Sequence, residues 1–309
     1  MNFFNKPYRY GPENENAQPK WLKFSVFVTI ALVAVLGIFL LILLFNYNNN
    51  VFKRFADASV KNFESGGFNY HISASINDKT YLDYVGKLEF DIQKQHFESE
   101  YHADYDTYEY DSVTYAHGAD SYTGNFYGGK WMVESYTDKA LDFFSFYRSY
   151  TKGEFDAGAA VRFTGLNDKF NAVALQSSVE NIFKELSSTK AINDILCCEA
   201  TQTENGLVVT FTPKSDELSQ ILSRNLSSAF TSAKEYEKFK TLLDENSGAL
   251  SKAKTVVSYT INKDKYITDI HFQHTVDDKC YELDILMSEF GNTQVEIPDS
   301  FITATGQEQ

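Results

Sequence analysis

The hydrophobic and polar positions divide the chain into one long apolar run and a larger part with helical and strand periods. Residues 24–45, FSVFVTIALVAVLGIFLLILLF, carry no charged side chain over twenty-two positions. At about 1.5 Å of rise per residue, a helix of this length extends roughly 33 Å, enough to cross a hydrocarbon layer about 30 Å thick. The run therefore predicts one transmembrane helix.

A secretory signal peptide is the competing interpretation of this run. Its apolar region usually spans about 7–15 residues and leads directly into small residues at a cleavage site. Here NYNNNVFKRF follows, and the Ala56-Asp57-Ala58 triplet lies too far downstream. Because no cysteine adjoins the run, a lipid-modified N-terminus is not expected either.

The charges on the two sides of the run indicate its orientation. Residues 1–23 contain four Lys or Arg residues, whereas residues 46–61 contain three, and positive charge favours the cytoplasmic side. We therefore predict that residues 1–23, which include the polar run GPENENAQP, form a disordered cytoplasmic tail. Residues 48–309 are then one extracytoplasmic domain of a cell-membrane protein.

After the apolar run, the pattern predicts a helix and then strands. Phe52, Phe55 and Phe63 recur at helical spacing before Gly66-Gly67. The following segments FNYHISASI, LDYVGKLEFDI and HFESEYHAD alternate with period two, as do DTYEYDSVTYAHG and SYTGNFYGGKWMVES. These alternations predict half-buried antiparallel strands, with a hairpin turn at Gly128-Gly129.

The residue pattern predicts helices in the middle of the chain and strands again at its end. TDKALDFFSFYRSY, residues 167–200 and residues 215–248 have helical patterns, interrupted by a strand at NGLVVTFTP. KTVVSYTIN, KYITDIHFQHTV, CYELDILMSEFG and finally TQVEIPDSF are strand-like. Strands at both ends with helices between them predict an α+β fold, in which one antiparallel sheet packs against a helical layer.

This order of elements resembles the LolA-like superfamily over roughly residues 50–305. The segments that carry the resemblance are SGGFNYHISASI, YTGNFYGGKW and the ending from SYTINKDKYITDIHFQHTV to YELDILMSEFGNTQVEIPD. The resemblance implies a half-barrel, a strongly curved antiparallel sheet wrapped around helices, which can enclose an apolar cavity for an acyl chain. Related bacterial surface proteins often carry a lipid-modified cysteine; the helix at residues 24–45 takes its place here and implies a fixed position on the membrane.

The aromatic content identifies candidate residues for such a cavity. Twenty tyrosines and twenty-six phenylalanines can line an apolar pocket, although packing of a filled core also explains most of them. The cavity candidates on the sheet are Phe90, Phe97, Tyr101, Tyr259, Ile270 and Phe272.

One strand face raises the alternative of a metal site. In HFESEYHAD, the side chains His96, Glu98, Glu100, His102 and Asp104 share one face, opposite Phe97 and Tyr101. Imidazoles and carboxylates are zinc ligands, but two residues of one strand would need help from a neighbouring strand to reach one ion. A solvated face of an acidic sheet explains the same pattern, so we predict no metal and no cofactor.

The cysteines allow three interpretations. Cys197 and Cys198 are adjacent, and either one bridging to Cys280 would close a loop of over eighty residues; Cys198 with Cys280 is the pairing predicted here. A strained vicinal disulfide between the adjacent pair is the second interpretation. Buried free thiols are the third.

The net charge and the absence of known catalytic motifs limit the range of possible functions. The net charge of -14, without a cluster of Lys and Arg, excludes a nucleic-acid partner, and an acidic surface is repelled by anionic lipid head groups. No G-x-S-x-G, phosphate-loop or H-E-x-x-H motif is present, so we do not expect an enzyme. We predict a membrane-anchored domain that binds a lipid or another apolar ligand. The alternative is a non-catalytic envelope protein with a filled core that binds another protein.

Overall fold

The computed structural model describes residues 51–306 except 92–93, 95, 106–107, 118–119, 153–154, 167, 251 and 277. At further positions, including 103–105, 108–110 and 242–250, it describes the backbone only. The predicted tail at residues 1–23 and the predicted membrane helix at residues 24–45 lie outside the described residues. Among the helices that are described, none is both long and apolar enough to cross a membrane.

The described part of the chain contains helices before, between and after two groups of strands. The helices are α1 (Val51–Glu64), α2 (Thr137–Thr151), α3 (Ala157–Thr164), α4 (Ala172–Leu186), α5 (Thr189–Asp194), α6 (Ser215–Leu226), α7 (Ala233–Leu250) and α8 (Asp299–Ala304). The strands are β1 (Gly67–Ile76), β2 (Lys79–Asp91), β3 (His96–Tyr105), β4 (Tyr108–His117), β5 (Asp120–Tyr127), β6 (Lys130–Ser135), β7 (Cys198–Gln202), β8 (Gly206–Phe211), β9 (Lys254–Asn262), β10 (Ile267–Val276) and β11 (Lys279–Ser288).

All of these strands belong to one antiparallel sheet in the order β6-β5-β4-β3-β2-β1-β11-β10-β9-β8-β7. The strands from β1 to β6 form one meander, and those from β7 to β11 form a second. The two meanders join where the first strand pairs with the last, with Ile72 opposite Ile285. The prediction of an α+β fold with one antiparallel sheet and helices between its strands is confirmed.

The register assigns alternate side chains to an inner and an outer face of the sheet. The inner face carries the hydrophobic core, which α1, α2, α4 and α6 complete from the other side. Helix α1 crosses this face: Phe52 stacks on Phe211 of β8 with ring centroids 5.4 Å apart, and Phe63 lies 5.2 Å from Phe90 of β2. One amphipathic helix therefore spans both meanders.

A buried amide joins α1 to the sheet. Asn62 is only 3% exposed; its Nδ2 donates to the Ile267 carbonyl at 2.9 Å, and its Oδ1 accepts from the Ile267 amide at 2.9 Å. The register of β10 with β9 shifts between Ile267 and Asp269. At this irregularity the Asn62 side chain supplies the donor and the acceptor that a neighbouring strand would otherwise supply.

The last predicted strand is wrong. The segment TQVEIPDSF has no strand pairing; it runs as irregular backbone into α8. The physical reason is that β11 pairs with β1 on one side and β10 on the other, so no open sheet edge is available beside it. The chain instead crosses the outer face as a C-terminal strap, residues 289–306.

Specific contacts hold the C-terminal strap. Thr293 Oγ1 donates to Asn69 Oδ1 at 3.0 Å, which places the start of the strap over β1. Phe301 is fully buried, with its ring 5.2 Å from that of Trp131. A Cβ on Gly124 would lie 2.9 Å from the Phe301 ring, so the glycine makes room for this anchor.

Two other segments differ from the secondary structure that the sequence predicted, each because of its own local interactions. Residues from Cys198 onward, predicted to end a helix, form β7 because their backbone pairs with β8. Helix α3 was not predicted, since its small residues AGAA give little apolar pattern. Its start is capped by Asp156, whose Oδ1 accepts from the Ala159 amide at 2.8 Å, and Gly165 ends it with a φ of 72°.

Replacing Asn62 by leucine is expected to lower the free energy of unfolding by about 2–4 kcal/mol, because the buried amide and carbonyl of Ile267 lose their partners. Urea denaturation measures this change. The control is Asn225→Ala, which removes a half-buried amide bonded to the Ile221 carbonyl and should cost about 1 kcal/mol or less. Equal stability losses in the two variants would contradict the role given to Asn62.

Replacing Phe301 by alanine is expected to detach the C-terminal strap and to cost about 3–4 kcal/mol through the cavity that it leaves. Limited proteolysis should then cleave within residues 289–306 before the rest of the domain. Ile302→Ala, at the half-buried neighbouring position, is the control and should leave the strap resistant. Equal protection of the strap in both variants would show that Phe301 is not its anchor.

Candidate functional site

The predicted cavity residues fall into two regions of the inner face. Phe90 and Phe97 lie opposite each other on β2 and β3, with ring centroids 6.2 Å apart. Phe143 of α2 lies about equally close to both rings, at 6.0 Å from each, and Tyr147 lies 5.1 Å from Phe90. At this end of the sheet, the protein's own aromatic side chains occupy the space against these two phenylalanines.

Tyr259, Ile270 and Phe272 also lie where helix and sheet meet. Tyr259 is 1% exposed, and its hydroxyl donates to the Val51 carbonyl at 2.7 Å. Ile270 lies opposite Tyr259 in the register, and Phe272 is 8% exposed. Helix α1 covers this region because Phe55 packs edge-on against the Tyr259 ring. These three residues contribute to the packed core.

Tyr101 lies in a different region, which we call the distal floor. Its members are inner-face side chains that are half-buried and that are neither in the buried core nor packed against it, within the part of the chain that is described. They come from the two strands at the junction of the meanders and from the two that follow along one side. The distal floor consists of Tyr70, Ile72, Ala74, Ile76, Leu82, Tyr84, Tyr101 and Ile285.

A glycine shapes one end of the distal floor. Gly86 lies between Tyr70 and Tyr101 in the register, and a Cβ on it would meet the Tyr70 ring at 2.7 Å. The Tyr70 ring therefore lies across β2 in the space that Gly86 leaves. Tyr84 adds a third ring, edge-on to Tyr101 at 5.1 Å. Burial, with smaller effects of Tyr101 and Glu100, raises the pKa of Tyr70.

A histidine lies beside the opposite end of the distal floor. His274 of β10 is half-buried, and its Nδ1 is 2.9 Å from Thr255 Oγ1. Its ring is stacked 6.4 Å from those of Phe272 and Tyr281. Burial lowers the pKa of His274, so the imidazole is neutral near neutral pH.

The residues of the alternative metal site lie on the outer face in separate pairs. His96 Nε2 is 3.5 Å from Glu98, His102 Nδ1 is 3.1 Å from Asp111, and Lys87 is 2.7 Å from Glu100. The Asp104 side chain is not among those described. In the described residues, no three His, Cys, Asp or Glu side chains form a group that could hold a metal ion.

The predicted disulfide is wrong, because all three cysteines are free thiols. Cys198 on β7 and Cys280 on β11 are four strand spacings apart, roughly 19 Å, whereas a disulfide requires Cα atoms about 4.4–6.8 Å apart. They also belong to opposite faces of the sheet. Burial and nearby Glu199 raise the pKa of Cys198 to about 11, so this thiol stays protonated.

Sequence patterns identified part of the distal floor. Alternation already assigned Tyr70, Ile72 and Tyr84 to one side of their strands, but it gave no reason to separate them from Phe90 or Tyr259. The difference depends on where α1 and α2 cross the sheet. The sequence did not identify His274 or Ile285 as candidate site residues, because the contacts that distinguish them come from other strands.

Comparisons with known proteins assign no family to this chain. A scan against models of protein families finds no match for this chain, and a search of curated proteins finds no match either. The geometry of the inner face is therefore the basis for the functional conclusion.

His274→Asn is expected to make stability less sensitive to acid. The lowered pKa means that the native state binds fewer protons than the unfolded state, so His274 contributes stability that is lost as pH falls below about 6.5. Asparagine keeps a group that can bond Thr255 but does not titrate.

The measurement is the loss of unfolding free energy between about pH 7.5 and pH 5, which should be smaller in the variant than in the unchanged protein. His271→Asn, on the outer face of the same strand, controls for the removal of an imidazole from β10. An unchanged loss in His274→Asn would contradict the pKa direction.

Proposed function

We propose that this chain is a single-pass membrane protein whose extracytoplasmic domain binds a lipid or another apolar ligand on the distal floor, in a half-barrel of the LolA-like kind. The observation that carries the proposal is the distal floor itself. Its aromatic and aliphatic side chains stay partly exposed on the same face where the neighbouring residues are fully covered by helices.

The exposed apolar area supports ligand binding on energetic grounds. Burial of apolar surface contributes about 25 cal/mol per Å², so covering about 200 Å² of the floor would contribute roughly 5 kcal/mol before the entropy cost of binding. The tyrosine rings add flat contact surface and a polar end, a composition typical of small-molecule sites. An acyl or isoprenoid chain lying along the strands fits this surface.

The predicted anchor would keep the distal floor close to the lipid bilayer. Only residues 46–50 separate the predicted membrane helix from α1, and five residues reach at most about 18 Å. Since α1 lies on the inner face, that face would stay near the membrane. A fixed position there is consistent with exchange of a ligand with the adjacent bilayer and not with transport between two membranes.

The alternative is a protein-binding envelope module, and one observation on the outer face favours it. Val85 is 57% exposed and Leu286 is 45% exposed, and both lie opposite His71 on the central strands. Exposed aliphatic side chains at the centre of a sheet offer an apolar contact surface to a partner protein. The two functions use opposite faces, so variants can separate them.

Ile285→Glu is expected to weaken binding of an apolar fluorescent probe by about tenfold or more, because it places a carboxylate in the distal floor. The measurement uses the full chain held in amphipol, together with mass spectrometry of lipid that remains bound. Leu286→Glu is the matched control, since the next residue of the same strand faces outward, and its binding should stay unchanged.

Two results would contradict the proposal: an unchanged protein without bound lipid or probe uptake, or equal effects of the two variants on uptake. If the protein-binding alternative is correct, Leu286→Glu should instead be the variant that weakens binding, in this case binding of the partner protein. Circular dichroism melts of both variants show whether a loss of binding reflects a loss of folding.

A further inference from the structure

We propose that the ligand of the distal floor is an amphiphile with an anionic head group, a carboxylate or a phosphate. Lys79 and Lys279 hold the head group at one end of the floor, and the apolar chain lies along the strands. This inference rests on the proposed function, because it specifies the ligand class of the same site. The observation that carries it is the place of these two lysines in the strand register.

The two lysines are the charged residues on the inner side of the strands around the distal floor. Lys79 pairs with Ile76 beside the turn between β1 and β2, and Lys279 pairs with Val276 beside the turn between β10 and β11. Ile76 belongs to the floor, and Val276 lies on the same side of β10 as His274. Across the described part of β10, β11, β1, β2 and β3, the register places no Asp or Glu and no further Lys or Arg on this side.

Hydrogen bonds fix the two turns side by side. Asn77 Nδ2 donates to the Asp278 carbonyl at 3.2 Å, Asn77 Oδ1 accepts from the Cys280 amide at 2.7 Å, and the Asn77 amide donates to the Cys280 carbonyl at 2.8 Å. Lys79 and Lys279 are two strand spacings apart across the sheet and two residues apart along it, so their Cα atoms are separated by roughly 12 Å. From these positions, two long flexible side chains reach one head group between them.

Neutral hydrogen-bonding groups lie next to the lysines. Tyr281 is opposite Ile76 on one side and His274 on the other, and its ring is stacked 6.4 Å from the imidazole. From Ile76 to Tyr70, the floor continues for roughly 20 Å as an apolar and aromatic surface. A site with ammonium, phenol and imidazole groups at one end and an apolar surface along its length matches a ligand with a polar head and a long chain.

Helix α1 begins at the same end of the sheet as the two lysines. Phe52, its second residue, stacks on Phe211, which the register connects through β9, β10 and β11 to Ala74, close to the turns. Phe63, near the end of the helix, lies on Phe90, far from the turns. The predicted membrane helix precedes α1, so it would hold the lysine end of the floor near the head groups of the bilayer.

Three aspartates limit the attraction for an anion. Asp78, Asp277 and Asp278 directly precede the lysines in sequence, and burial together with the charge of Asp278 raises the pKa of Tyr281. Both lysines are exposed, so an anion beside them keeps part of its water and its binding carries little desolvation cost. The competing arrangement is a solvated end whose aspartates neutralise the lysines. In that arrangement, the head group would not affect affinity.

The test compares four probes with the same sixteen-carbon chain on the full chain in a non-ionic amphipol: palmitate, hexadecyl phosphate, hexadecanol and hexadecyltrimethylammonium. Competition with a bound apolar fluorophore at low ionic strength and about pH 8 measures the affinities. We expect both anionic probes to bind about fivefold or more tightly than hexadecanol, and the cationic probe to bind more weakly than hexadecanol. The preference should decrease as salt is added, because the charges are exposed.

Removal of the two lysines should abolish the preference and leave binding of the chain intact. In the double variant Lys79→Gln with Lys279→Gln, the affinity ratio of palmitate to hexadecanol is expected to fall to about one. The matched control is Lys254→Gln with Lys263→Gln, which removes the same charge from two exposed lysines. Lys254 lies at the same end of the sheet but on its outer side, opposite Thr275. The ratio should stay unchanged in this control.

The outcomes separate this inference from the proposed function. Equal affinities for the anionic probes and hexadecanol would overturn the head-group site while leaving apolar binding in place. An unchanged ratio in the Lys79 and Lys279 variant would overturn it too, and so would an equal fall in the control, which would show an effect of net charge alone. Absence of binding by all four probes would overturn the proposed function and the inference with it. Each ratio is measured within one protein, so a smaller folded fraction does not change it.

Discussion

The pairing of β1 with β11 is the constraint on which the rest of the molecule depends. It joins residues near the start of the described chain to residues near its end, from Asn69 opposite Ser288 to Ile76 opposite Tyr281. Without it, the two meanders would be separate sheets, each with an exposed edge at the break. Because both sides of β11 are occupied, the chain that follows must leave the sheet, and it crosses the outer face as the C-terminal strap.

The same junction determines how the inner face is covered. Helix α1 directly precedes β1, so it begins over β8 and ends beside the junction, held by the Asn62 amide on β10 and by aromatic contacts at both ends. One helix has a limited width, about 10 Å with its side chains. It covers Tyr259 and neighbouring side chains, whereas the distal floor, farther along the same strands, stays half-exposed.

Most of the strands and helices could be predicted from local pattern, because burial of one face imposes a period of two or of 3.6 on a single segment. Alternation correctly separated Phe97 and Tyr101 from His96 and Glu98. Predictions that depended on distant partners failed. The bridge from Cys198 to Cys280 required two strands to be neighbours that lie four spacings apart, and the final strand required an open edge that pairing had removed.

The candidate site shows what the pattern within a single segment of the chain cannot predict. Tyr101 and Tyr259 have the same local signal, an aromatic residue on the apolar side of a strand, and alternation along each strand is enough to predict that both face inward. The packing of distant elements is what puts Tyr259 under α1 and leaves Tyr101 half-exposed in the distal floor. The physical reason is that side-chain direction follows from neighbouring residues along the chain, whereas the water left around a side chain depends on elements packed against it from far away in sequence.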